Sequence, residues 1–577
     1  MMRLFSKTLV IAAAVLLGGG QTAAQTRARD AFSRGLAALH QFEYEDANAA
    51  FLEARRIDPG LVMAYWGEAM TYHQTLWRNE NVEAGRLALA RLAPTPSLRR
   101  ARTQDRKEQA WLDAVERLFG SGDAAARGRQ HADAMAQMYR DYPDDPDVAS
   151  LYALALLGTM SRSLIGTADA HEGHSAGLAG SETQARVADI LEAVLRAHPE
   201  HPGALHYFLH NQDDPAHAAR ALPAARTFAR LAPDSSHARH MPAHIFLQLG
   251  LWHDAERSDR SAFEASQAWI ERKHLDPALR NYHALAWRQY ELLQLGRYRE
   301  AHAALDELAP VVKANGQLNL LSDLSSMRAR SVVESADWTR MATADTFGNA
   351  NELFAIGLSA ANSGGAARAE RARTVLAERV QDPREGDLRP AIAIMERELA
   401  AAIAHAAGRG DEAVGILREA ADRESKLPPP LGLPAPIKPA PELLGEVLLA
   451  LNRPREAAPF FEQALARNRN RSRSVLGLAR AAAATGDAAA ARKHYTALLD
   501  NLRDADPDLP LVREARAALA SSTNTSAAAP AARDGRILAG IVVSLIAVAG
   551  TLFVLRQRRQ GAASLKPARQ VNRKRRR

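Results

Sequence analysis

Apolar residues form two unbroken runs, one near each end of the chain, and between them they fall at fixed places of a 34-residue unit. Counting from Ala28, Gly35, Ala47, Phe51, Ala54 and Pro59 stand at the eighth, twentieth, twenty-fourth, twenty-seventh and thirty-second places. The next unit opens with Tyr65, Ala69 and Tyr72. Near the other end Gly445, Leu448, Ala457, Phe461 and Ala464 repeat the pattern, and one period later come Ala479, Gly486, Ala491 and Tyr495. Weaker units surround Tyr282 to Leu308, with Gly296, Tyr298 and Ala301 at the turn, and Ala401 to Ala420, with Gly408 and Ala413. Small residues at the eighth and twentieth places let two antiparallel helices approach closely, an aromatic fills the gap between them, and proline ends the second helix.

These positions resemble the tetratricopeptide signature, and the body is rich in Ala, Leu, Arg and Glu and poor in strand-forming runs. The expected fold class is all-α: a TPR-type α-solenoid of stacked antiparallel helix pairs, plus one C-terminal transmembrane helix. The first unbroken run, Leu9 to Leu17, follows Arg3 and Lys7 and precedes the small residues Thr22, Ala23 and Ala24. That layout predicts a signal peptide over 1–24. The second, Ile537 to Leu555, is uncharged and long enough to span a bilayer as a helix. A basic tail without acidic residues follows it, so 556–577 is expected to be cytoplasmic and the body extracytoplasmic, on the periplasmic side of a bacterial inner membrane.

Between the ends, the expected layout is a helical solenoid over 25–426 with a flexible loop at 166–181, a proline-rich linker at 427–441, a second repeat pair at 442–520 and a flexible stalk at 521–536. The linker, LPPPLGLPAPIKPAP, is expected to run extended and to separate the long stack from the short one. Charge adds one exclusion. The tail holds ten basic residues and the signal segment two, and removing those twelve from the net +8 leaves the exported body at about −4, so nucleic acid is not implied. With no cysteine, neither a disulfide framework nor a thiolate site is available.

Candidate chemistry rests on histidine. His206 and His210 are four residues apart, as are His240 and His244, and the two pairs are offset by 34 residues, one repeat. Each pair shares a helix face. If Pro202 and Ser236 open successive units, all four converge from neighbouring first helices, with His237 beside them and Asp213 and Asp214 placed to orient a ring nitrogen. Two readings stand: a site for zinc or copper, or histidines that pack and hydrogen-bond between helices, which is the commoner fate of such residues. The loop HEGH, with His171, Glu172 and His174, lacks the spacing of a zinc-protease helix. Trp66, Met70 and His73 take the groove-lining places of the second unit, where two readings stand equally: a grip on apolar peptide segments, or core packing against the following helix with Trp77. No phosphate loop, dinucleotide fingerprint or nucleophile elbow is found, so catalysis is not expected.

The stretches FEYEDANAAFLEARRIDPGLVMAYWGEAMTYHQTLW, HPGALHYFLHNQDDP, HMPAHIFLQLGLWHDA and PAPIKPAPELLGEVLLALNRPREAAPFFEQALARNRNRS look like a bacterial family of exported tetratricopeptide proteins with no agreed activity. The resemblance covers nearly the whole body, with a weaker helix-pair signature between Arg99 and Asp147, and implies no catalytic assignment. Together these readings predict a membrane-tethered scaffold that holds a protein or peptide in a concave groove lined by Trp66, Met70, His73, His206, His210, His240 and His244, with metal binding by the four histidines as the alternative.

Overall fold

The computed structural model describes residues 5–160, 182–343, 348–429 and 431–526, with side chains described from Ala23 to Ser521. Residues Met1–Leu519 form one compact unit and Ala520–Arg577 a second. Within the first unit consecutive helices pack as antiparallel pairs, from Phe5–His40 against Tyr44–Ile57 to Ser472–Thr485 against Ala488–Asn501. The first helices of successive pairs also touch: Pro202–Asn211 with Ser236–Gln248, Arg389–Ala406 with Ala440–Ala450, and Ala440–Ala450 with Ser472–Thr485. This produces an inner row of first helices, the arrangement expected of a solenoid.

The periodic glycines are explained by their aromatic neighbours. A Cβ on Gly35 would lie 2.7 Å from Phe51 Cε1, and one on Gly67 would lie 2.4 Å from the same atom. Phe51, fully buried, thus fills the space between its own first helix and that of the next pair. Phe461 repeats this against Gly445 and Gly477. Burying such a ring contributes about 1.5–3 kcal/mol from solvent exclusion alone. The weak stretch between Arg99 and Asp147 is also helical, with Arg106–Leu118 packed on Ala124–Asp141.

The structure corrects three expectations. The second unit breaks after Met70: His73–Gln74 pairs with Asn79–Glu80 in a short antiparallel hairpin, so His73 is not on a helix. The proline-rich stretch is not a spacer. It lacks helix up to Ala440, as expected of its prolines, but Leu431, Leu433, Ile437 and Lys438 are buried, and Arg467 donates to the carbonyls of Leu427 and Pro428 at 3.1 and 2.8 Å. Apolar side chains between prolines gain more from lying in the groove than from solvent. Thirdly, residues 521–526 of the expected stalk are helical, as the end of Pro510–Ser526.

At Gly432 φ is +121°, and a Cβ would sit 2.4 Å from Trp287 Cζ2. Gly432→Ala combines backbone strain with overpacking. It is expected to lower stability by about 1–3 kcal/mol, read from the urea midpoint and from an altered Trp fluorescence maximum. A variant indistinguishable from the parent would contradict the packed position of this segment.

The inner face is further closed by the return of the last repeats. Trp252 Nε1 donates to Asn470 O at 2.8 Å, Ser472 Oγ donates to Gln294 O at 2.7 Å, and Asp506 N donates to Gly296 O at 3.0 Å. Arg471, wholly buried, donates to Glu442 at 2.8 and 3.1 Å and pairs with Glu334 at 2.6 Å. Lys438 of the proline-rich stretch reaches the same Glu442 at 3.1 Å. Burial raises the Glu442 carboxyl, but Arg471 and Lys438 outweigh it and hold the group well below its usual range.

The loop 166–181 is outside the described residues, as are the second apolar run 537–555, the tail 556–577 and the stalk beyond Ser526. Among the described residues no helix is long and apolar enough to cross a membrane. Residues 5–24, part of the stretch expected to be a signal peptide, form the start of the helix Phe5–His40.

Candidate metal centre

The four histidines singled out by spacing are all fully or almost fully buried, yet they do not gather at one point. They divide into two groups, each completed by a histidine of the following first helix. His206 and His210 of Pro202–Asn211 meet His237 of Ser236–Gln248, with His206 Nε2 3.0 Å from His237 Nε2 and 3.1 Å from His210 Nε2. His240 and His244 of Ser236–Gln248 meet His283 of Tyr282–Gln294, with His240 Nε2 2.9 Å from His244 Nε2 and 3.0 Å from His283 Nε2. In both groups the third histidine is the second residue of its helix. One construction is therefore made twice.

Inside each group the ligand-capable atoms all lie within 4.8 Å of one another. Three nitrogens about 2.0–2.1 Å from a tetrahedral ion stand about 3.3–3.4 Å apart, so separations of 2.9–3.1 Å need only a small opening.

The opposite ring nitrogens fix which atoms carry hydrogen. His206 Nδ1 lies 2.7 Å from the carbonyl oxygen of His40, which can only accept, so Nδ1 donates and Nε2 presents its lone pair inward. His240 Nδ1 is 2.5 Å from Asp259 Oδ1 and His244 Nδ1 is 2.8 Å from Asp213 Oδ2. These contacts at Nδ1 leave the two Nε2 atoms facing each other at 2.9 Å, and carboxylates behind the rings are the usual support of metal-binding imidazoles. Gln248 Nε2 donates to the other oxygen of Asp213 at 3.2 Å. Burial pushes Asp213 up to about 7, and it lowers His244 well below its usual value, helped by the neighbouring imidazoles. Glu291, fully buried, is raised by burial and by Asp259.

A third group, His40, Asp147 and His201, behaves differently. Asp147 Oδ1 accepts from both Nε2 atoms, at 2.8 and 3.2 Å, while His40 Nδ1 accepts from the Tyr207 hydroxyl at 2.9 Å and His201 Nδ1 from Ala204 N at 3.1 Å. Burial would raise Asp147, but these two hydrogen bonds hold it well below its usual range. Both Nε2 atoms spend their hydrogens on one carboxylate, so the group holds His40 in place, and the carbonyl of His40 in turn orients His206.

Trp66 and Met70 do not line an open groove. Trp66 packs on Trp111 at 5.0 Å between centroids, and both it and Met70 are buried in the core. His73 is half-buried beside Glu80, 3.4 Å away. Their apolar surface is already used by the fold, which corrects their reading as partner contacts; the same burial keeps His206, His210, His240 and His244 from an external peptide. What remains of the groove includes a cavity of about 360 Å³ beyond Trp287, walled by Asp323, Arg330, Leu433 and Pro434.

Spacing missed His283 and Asp259. His283 lies 46 residues after His237, because the 22-residue helix Trp252–Lys273 and the turn Pro277–Leu279 lengthen that unit beyond 34. A search keyed to the second residue of each first helix would have found it.

In the metal-free chain, burial drives His131 down to about 4 and His206 down to about 3 from an ordinary 6.5. Between those values the unfolded chain binds more protons than the folded one. Stability is therefore fully present above about pH 6.5 and is lost progressively as pH falls from there toward the folded values, by about 2 kcal/mol per such histidine at pH 5. Urea midpoints at pH 7 and pH 5 check this; equal midpoints would contradict the neutral buried state.

The fold and this site define a helical-repeat protein with paired histidine centres on its inner row. Residues 448–519 match the tetratricopeptide repeat family, which makes the C-terminal pairs tetratricopeptide repeats. No curated protein matches the chain. Among solved structures, yeast Tom70 aligns at 10% identity over 78% of this chain and 87% of its own, with a TM-score of 0.28. The APC/C hetero-tetramer Cut9-Hcn1 aligns at 12% identity over 87% and 98%, with a TM-score of 0.28, and the human IFIT1 dimer with m7Gppp-AAAA at 12% over 85% and 95%, with a TM-score of 0.30. At those scores the likeness carries nothing about function.

Proposed function

We propose that this protein binds transition-metal ions on the inner row of a tetratricopeptide scaffold, one at His206, His210 and His237 and one at His240, His244 and His283. The observation that carries the reading is the inward convergence of Nε2 atoms at 2.9–3.1 Å while Nδ1 of His206, His240 and His244 is taken by a carbonyl or carboxylate. Imidazole suits zinc and copper alike. No reaction is assigned. Loading the purified full chain with zinc, followed by desalting and elemental analysis, should give about two ions per chain, and a metal-free product at micromolar zinc would refute the reading.

The scaffold reading is supported by the repeats themselves, since stacked pairs present extended surfaces to protein partners. With the concave face filled by the chain's own segments, a partner would be met on the outer surface. Export through 1–24 and anchorage through 537–555, with the tail cytoplasmic, complete the proposal: an extracytoplasmic metal-binding body held at a bacterial inner membrane. Protease accessibility of the body in spheroplasts tests the orientation; protection of the body there would reverse it.

A further inference from the structure

The hairpin of His73–Gln74 and Asn79–Glu80, the only sheet among the described residues, sets His73 opposite Glu80 and puts both on the wall of a second cavity, of about 450 Å³. Its other walls come from Leu118, the helix Ala124–Asp141 and the helix Pro146–Thr159. Cavities of this size hold small molecules. Glu80 Oε1 accepts from Arg127, but Glu80 Oε2 and His73 Nδ1 are buried 3.4 Å apart without a hydrogen bond. His131, which also lines the cavity and is only 7% exposed, has its Nδ1 2.9 Å from the carbonyl oxygen of Ala114, which can only accept. Nδ1 therefore donates, and Nε2 of the neutral ring offers a lone pair that no described residue takes.

Acceptors enclosed without donors are costly, so this side of the cavity favours a ligand that brings N–H groups. The exposed side has the opposite character. Arg129 has no ion-pair partner among the described residues, and Arg78 spends one nitrogen on the carbonyl of Met160 at 2.9 Å. Guanidinium groups with donors to spare suit a carboxylate. Leu118, Ala155 and Met160 add apolar wall. We infer that the cavity binds a small zwitterion of the amino-acid type: its ammonium is met by the open acceptors of Glu80 and His131, its carboxylate by Arg129 and Arg78, and its apolar side chain by Leu118, Ala155 and Met160. None of these residues belongs to the paired histidine centres, so the inference stands apart from metal binding.

The test is equilibrium dialysis of the full chain against radiolabelled L-leucine, with N-acetyl-L-leucine and L-leucinamide as competitors. Saturable uptake of leucine is expected. The acetylated compound lacks the ammonium and the amide lacks the carboxylate, so each should compete about tenfold or more weakly than unlabelled leucine. Arg129→Ala, which removes an exposed side chain without a described partner, should weaken uptake by a similar factor. Gly128 also lines the cavity, and a Cβ on it meets nothing within 4 Å. Gly128→Leu therefore fills the cavity while favouring the helix that carries it, and should abolish uptake in a chain that keeps its circular dichroism. Leucine captured through a metal ion at the histidine centres would survive that substitution. No uptake by the parent chain, uptake unchanged in Gly128→Leu, or equal competition by either capped compound would overturn the inference.

Discussion

Replacing His240 and His244 together by alanine is expected to lower bound zinc from about two ions per chain to about one, because the remaining His283 offers a single ligand. The matching change of His206 and His210 should remove the other ion instead. Each double variant also leaves buried groups without their designed neighbours: Asp213 and Asp259 in the first case, and the carbonyl of His40 in the second. Some loss of stability is therefore expected alongside the loss of metal, about 1–3 kcal/mol for each buried group left unsatisfied. His283→Gln is the gentler control, since His283 is only half-buried, and it should weaken one site without disturbing the core. If either double variant, folded by circular dichroism, kept both ions, the two-site division would be wrong.

The second large effect is expected at Arg471. Its guanidinium joins Glu442, Glu334 and the hydroxyl of Tyr290 where the last repeats return to the middle ones, and the whole group is excluded from solvent. Arg471→Met keeps much of the volume but removes the guanidinium that joins Glu334 and Glu442, leaving Lys438 and Arg473 to oppose the two carboxylates. Breaking a buried pair in this way costs about 3–5 kcal/mol, far more than the pair itself contributes over an apolar replacement. The urea midpoint should fall accordingly, and adding Glu442→Gln to the same chain should recover part of the loss. An Arg471→Met protein as stable as the parent would mean that the return contact does not hold the inner face closed.

Much of the helical architecture was legible because it is local. Gly35 with Phe51 and Gly445 with Phe461 belong to single repeats, so their spacing carries the contact, and the histidine pairs four residues apart announce a shared face. The groove was misread for the opposite reason. What fills it comes from far along the chain: Asn470 against Trp252, Arg469 against the carbonyl of Pro215, and Leu433 among Leu247, Trp252 and Trp287. No short-range pattern encodes such returns. For Trp66 and Met70 the pattern left an open concave face and core packing equally in view, and the structure uses them as core.

The site was legible by halves. Two histidine pairs one repeat apart suggested four rings around one ion, but a 34-residue offset places equivalent residues on neighbouring helices, about 8–10 Å apart. That separation favours two centres, each closed by the next helix, over one. Asp213 orients a ring, as its place after His210 suggested, but the ring belongs to His244 in the next repeat.

The most direct measurement is X-ray absorption at the zinc edge on the full chain loaded with two ions. Three imidazole nitrogens per zinc at about 2.0 Å, with the outer-shell scattering of histidine rings, are expected. A first shell dominated by oxygen, with one imidazole or none, would place the metal on surface carboxylates and contradict the paired histidine centres.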